Sequence, residues 1–327
     1  MMKKLPFNYP PLVDAFSGGA GKMAVQMTDY KQLPLLLSNH LTIAYYYDIN
    51  TIGFNWYCYN EDGFKLTEIE EDLIEVEKNK NIIPYLIECL DKDYYMHLYL
   101  DHYYISDCDS YRKRHFLHDS ATVFGYDTAS NVFYAADNFK DRKYVIMEIP
   151  FNQIEDAIRG AIDKPATKYK LDKSINFTLE IDAIILIIKG YLESTYLVDG
   201  PKKHPKDIKV AYGMEIYDVL FSYLNRLIEG YDRYDHRSFH VMCNHKAVLV
   251  ALVKYLIEKN LVLNGASILA RFEELHSKFM TLRNVFLKYS ITKNINLLSK
   301  VQENLNNIKQ LEKDSLNLLL NNIVTIA

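Results

Sequence analysis

The residues of this chain best suited to moving protons crowd between Tyr94 and Phe139, where histidines and aspartates sit at the ends of short apolar runs. His115-Phe-Leu-His118-Asp119 leads into Val123-Phe-Gly-Tyr126-Asp127. Val132-Phe-Tyr-Ala-Ala-Asp137 follows after the turn-forming Asp127-Thr-Ala-Ser-Asn131. Two apolar runs joined by such a turn predict an antiparallel hairpin. His118 then precedes the first strand and Asp137 ends the second, so both lie toward one end of the ladder. A carboxylate there can orient an imidazole through its ring N–H, as a base and its orienter require in nucleophilic catalysis. His115, three residues earlier, competes with His118 for the role, because the length of the approach to the strand is open. Asp101, Tyr103, His115 and Tyr126 are the candidate binding residues, with Asp101 either ending its strand or facing a pocket.

The order Tyr94-Tyr95, Leu100-Asp-His-Tyr-Tyr-Ile105, His115-Phe-Leu-His-Asp119, Phe124-Gly-Tyr-Asp127 and then a strand ending in Asp137 resembles the butirosin biosynthesis protein H-like family. These are papain-fold proteins found beside nonribosomal peptide and polyketide assembly lines. Tyr212-Gly-Met-Glu-Ile-Tyr217, Asp235-His-Arg-Ser-Phe-His240 and His245-Lys246 are similar to the carboxy-terminal helical region of the same proteins, so the likeness extends over most of the chain. The resemblance implies an α+β, papain-like domain with an antiparallel sheet over residues 1–165 and an all-α domain over 166–327. It also implies secondary-metabolite biosynthesis. In the family a cysteine near the amino terminus attacks a carrier-protein thioester, and a His–Asp pair assists acyl transfer to an amine. His118 would be the base, Asp137 the orienter, and the partner an acyl or peptidyl carrier protein or a biosynthetic intermediate.

The chain departs from that pattern at the nucleophile. A papain-type thiol sits at the start of the first long helix, where the positive end of the dipole lowers its pKa. The apolar segment predicts that helix over residues 32–47, and no cysteine precedes or begins it. Cys58 is the first cysteine, but Gly53-Phe-Asn-Trp-Tyr-Cys58-Tyr favours a strand, in which it reads as a small core residue. Ser38 is the other replacement, although it lies inside the predicted helix, where a serine is usually just tolerated. Two readings lead, an acyl-transferring enzyme whose nucleophile is lost or relocated and a catalytically silent protein that binds a carrier or a peptide, with a metal-dependent hydrolase using the later histidines as a third.

Composition narrows the classes further. A chain of 327 residues, 49% hydrophobic and 24% charged, has the material for two packed domains. A net charge of −4 supplies no general attraction to nucleic acid or to an anionic membrane. Cysteines at 58, 89, 108 and 243 lack close pairs, which favours reduced thiols and a cytoplasmic location. Prolines interrupt the basic start, so no secretory signal is expected. The most apolar run, Ile181 to Ile188, is far too short to span a bilayer. No cofactor is expected. Ser17-Gly-Gly-Ala-Gly-Lys22 fails the phosphate-loop spacing and reads as a flexible loop. His236, His240 and His245 lack the glutamate of a zincin motif and read as a hydrogen-bonded structural cluster, so no metal is expected.

The elements that must position these groups follow from periodicity. Residues 68–80 and 82–90 predict amphipathic helices, 94–105 and 144–149 strands, and 152–161 a helix capped by Asn152. Asp163-Lys-Pro-Ala-Thr-Lys168 marks the domain boundary. Residues 174–197 begin as a strand and continue as a helix, and beyond 210 the pattern is helical throughout, ending in the stripe Leu298, Val301, Leu305, Ile308 and Leu311.

Overall fold

The computed structural model describes residues 1–15, 17–54, 69–71, 82–141, 143–161, 164, 166–171, 177–195 and 209–324. Its strands are β1 (Met2–Lys4), β2 (Ile43–Tyr46), β3 (Thr51–Phe54), β4 (Ile69–Glu71), β5 (Tyr95–Asp101), β6 (Leu117–Asp127), β7 (Val132–Lys140), β8 (Lys143–Pro150), β9 (Ala166–Tyr169) and β10 (Val210–Tyr212). The helices are α1 (Ser17–Gln26), α2 (Leu33–His40), α3 (Ile82–Asp91), α4 (Phe151–Arg159), α5 (Ile181–Glu193), α6 (Glu215–Ile228), α7 (Arg237–Glu258), α8 (Gly265–Thr292) and α9 (Asn296–Leu320). The chain forms two compact units, one from Met1–Leu33 and Phe64–Asn176, the other from Pro34–Gly63 and Phe177–Ala327. The fold is mixed α+β, with antiparallel sheets and a carboxy-terminal run of helices.

The first unit is built on a seven-stranded sheet in the order β4-β9-β5-β6-β7-β8, with β1 pairing to the far end of β6. The expected hairpin is its centre. β6 and β7 pair antiparallel with Asp127 opposite Val132. Asp127 organises the turn by accepting from the Ala129 amide at 2.9 Å and the Ser130 hydroxyl at 2.9 Å. Phe133 through Asp137 are all buried, so both faces of β7 are covered, and the short apolar run could not have signalled alternation. The hairpin is longer than its apolar runs: β6 continues to Leu117 because β5 pairs with it there, which places His118 inside the strand.

Helix α1 corrects the expectation of a loop over residues 17–22. Glycines cost a helix roughly 1 kcal/mol each against alanine, which is why the sequence argued against one. Tertiary packing overrides that cost. A Cβ on Gly21 would fall 1.9 Å from Thr122 Oγ1 and 2.8 Å from Thr122 Cβ, so only glycine lets α1 lie this close to β6.

Other expectations change as well. The predicted helix over 32–47 ends at His40, and the β-branched and aromatic Ile43-Ala-Tyr-Tyr46 forms β2 against β3. Residues 210–212 are not helical: they pair with β2 as β10. The α4 helix takes Pro150 as its N-cap, and Asn152 lies within the first turn. Of the segment Asp163–Lys168, read as a boundary, Asp163 and Pro165 lie outside the described residues, and residues 166–168 belong to β9 in the first unit's sheet.

In the second unit the strands β10-β2-β3 accompany α2, but for its first residue, and the helices α5 to α9. Leu298, Val301, Leu305 and Ile308 are buried as the stripe predicts, and α9 packs on α8, α6 and α5. Helix α7 has the length and composition to cross a membrane, yet 72% of its apolar window is buried within the protein. Its Lys246 is fully buried and bonds Glu312 of α9 at 2.5 Å, while Tyr217 donates to the other oxygen of that carboxylate. Burial lowers the Lys246 pKa, and Glu312 works against that shift.

Two stability predictions follow. Gly21→Ala forces α1 away from Thr122 and is expected to cost about 1–3 kcal/mol in denaturant unfolding. Lys246→Met leaves Glu312 buried without its cation and is expected to cost about 3–5 kcal/mol, most of it recovered in Lys246→Met/Glu312→Leu.

Candidate functional site

The site grows from the place where β5, β6 and β7 end side by side. The β6–β7 ladder has its last registered pair at Thr122 and Ala136, so Asp137 stands one residue beyond it. His118 lies further along β6, held by pairing with Leu100 of β5. From there its Nδ1 reaches Asp137 Oδ1 at 2.9 Å and Oδ2 at 3.0 Å. The two residues that spacing singled out are therefore hydrogen-bonded partners.

A third residue, absent from the sequence reading, completes the cluster. After β5 the chain enters a short 3-10 turn, His102–Tyr104, and His102 Nε2 meets Asp137 Oδ2 at 3.1 Å. Asp137 is wholly buried, His102 is 2% exposed and His118 is 19% exposed. The Asn138 amide also donates to Asp137 Oδ1 at 2.6 Å. The available signal was a histidine directly after Asp101, at the end of a strand destined to neighbour β6. No spacing rule could connect it to Asp137, because the contact needs the lateral order of strands.

The electrostatics follow from this packing. Burial opposes the charge of Asp137, but hydrogen bonds from His102 and His118 outweigh it and hold the carboxyl below its ordinary range. Burial likewise opposes charging His118, and the Asp137 hydrogen bond and charge outweigh it, so the imidazole pKa is raised.

His115 does not share this carboxylate. Its Nδ1 meets Asp101 Oδ2 at 2.6 Å, its ring stacks on Tyr103 at 4.3 Å, and its side chain is 67% exposed. Asp101 both ends β5 and caps the 3-10 turn, accepting from the amides of Tyr103 and Phe116 at 3.0 Å each. Tyr126 is fully buried and gives its hydroxyl to Asp91 at 2.7 Å, with burial first and that bond second raising its pKa to about 12. It is placed as a core residue.

The proposed nucleophiles fall elsewhere. Ser38 belongs to the second unit and returns its hydroxyl to the Pro34 carbonyl at 2.9 Å, the back-bonding of a tolerated helical serine. Cys58 lies outside the described residues. Cys108 feels the charge of Asp137, but burial and then the carboxylates of Asp137, Asp109 and Asp107 push its thiol up to about 12, the opposite of activation. Helix α1 packs on β6 and β7. The chain just before it carries Asp14, which together with Asp137 acts on the hydroxyl of Tyr144, so both lie within electrostatic reach of one group.

The later histidines separate. His245 bonds the Leu41 carbonyl at 2.9 Å and Lys246 at 3.1 Å, His240 meets Arg283 at 3.2 Å, and His236 stacks on Tyr234. No protein-family model matches the chain, and no curated protein matches it.

The sign of the pH dependence is set by the two shifts. Asp137 stabilises the fold above the unfolded carboxylate pKa of about 3.9, and this is lost as pH falls through the depressed folded value. His118 stabilises below the unfolded imidazole pKa of about 6.5, and this is lost as pH rises through the raised folded value. In chelator-treated protein, NMR titration of the ring is expected to place His118 above 6.5 and to bring it down in Asp137→Asn.

Proposed function

We propose that the first unit is a papain-like acyl-transfer domain that passes an acyl group from a carrier-protein thioester to an amine, in cytoplasmic secondary-metabolite biosynthesis. The observation that carries the reading is the buried Asp137 holding His118 Nδ1 at 2.9 Å, beside a helix packed across the same two strands. Asp137 fixes the ring and stabilises its protonated form, which makes His118 a stronger base than a free imidazole.

In this reading the amine attacks the carrier thioester directly: its nitrogen bonds the carbonyl carbon, its proton passes to neutral His118, and the carrier thiol leaves with that proton. The helical unit would then hold the carrier or the acceptor. A silent protein that binds the same partners is the alternative.

Intact-mass spectrometry after incubation with acyl-carrier thioesters tests this. Amide product without a stable acyl adduct is expected from the native chain, Ser38→Ala and Cys58→Ala, and an adduct lost in one of the two variants would identify a covalent nucleophile instead. His118→Ala is expected to slow transfer by about 10²–10⁴-fold. Undiminished turnover in His118→Ala would remove the enzyme reading. Carrier binding without any adduct or transfer would favour the silent one.

A further inference from the structure

We propose that His102, His118 and Asp137 form a binding site for a divalent transition metal of the zinc class. His102 Nε2, His118 Nδ1 and a carboxylate oxygen of Asp137 all lie within 4.8 Å of one another. The two imidazoles approach Asp137 Oδ2 from different elements, at 3.1 Å from the turn after β5 and at 3.0 Å from β6. Zinc bonds nitrogen and oxygen at about 2.0–2.2 Å, so adjacent tetrahedral ligands stand about 3.3 Å apart. Both contacts to the carboxylate are within a few tenths of an ångström of that spacing.

The donor set points the same way. Two imidazole nitrogens and one carboxylate oxygen match the three-ligand zinc sites that keep a fourth position for water or substrate. His118 is the most exposed of the three at 19%, so solvent reaches the cluster from its side. Among the described residues this is the one group of His, Cys, Asp or Glu side chains whose donor atoms converge in this way.

The inference does not depend on acyl transfer. Where transfer does occur, a bound metal takes His118 Nδ1 and Asp137 out of service, so it acts as an inhibitor of that reaction.

The test is binding of zinc to the full chain after chelator treatment, by calorimetry, with cobalt(II) absorption reporting the coordination. About one metal ion per chain is expected, with a spectrum of low coordination number and zinc-induced shifts of the His102 and His118 ring signals in NMR. His102→Ala and His118→Ala should lose this binding, and His236→Ala should keep it. Circular dichroism identifies any variant that has unfolded, and the ring shifts in the native chain decide the matter without variants. Absence of zinc binding to the native chain, or binding that leaves both ring signals unmoved, overturns the proposal. The acyl-adduct experiment run in chelator is independent of either result.

Discussion

A carboxylate removed from water must be compensated, and the first unit is arranged around that requirement at Asp137. Two imidazoles and a backbone amide converge on it from three directions. Each donor belongs to a different segment, so β5 with its 3-10 turn, β6 and β7 must all be in register before the charge is satisfied. Leaving such a group unpaired costs several kcal/mol, and the cost falls on every arrangement that misplaces one strand. The site therefore helps specify the sheet that forms it.

The same end of the sheet receives α1. Close approach is secured by Gly21 against Thr122, with the Tyr144 hydroxyl beside the same turn of the helix. A residue with a Cβ at that point would push the helix outward.

The second unit contains a parallel solution to the same problem. Lys246, Glu312, Tyr217 and His245 are buried among helices that are otherwise apolar, and each polar group is met by another or by the Leu41 carbonyl. Such a network contributes little net stability compared with hydrophobic packing, but it penalises any slip of α7 against α9. The two units differ in one respect that bears on function. The first unit's cluster is open to solvent at His118, whereas Lys246 and Glu312 have no exposure at all.

The hairpin was legible because its turn residues are unambiguous, which put His118 and Asp137 toward one end of the ladder, while their contact also needs β5 to hold His118. The tail helices were legible for the same reason: their stripes have a 3.6-residue period. The residues that were missed depend on non-local contacts. His102 reaches Asp137 only because β5 lies beside β6, and strand order is not written in either segment. Helix α1 contradicts its own glycine content because Thr122, a hundred residues away in the chain, rewards the close approach. Ile43–Tyr46 became a strand because β3 and β10 pair with it. By itself, then, the sequence determined the hairpin and the carboxy-terminal helices and put His118 and Asp137 toward one end of a ladder, since turns and periodicity act over a few residues. Tertiary structure alone decided the hydrogen bonds of His118 and His102 to Asp137, the packing of α1 on β6 and the exposure of the cluster, because these rest on the lateral order and close packing of segments far apart in the chain.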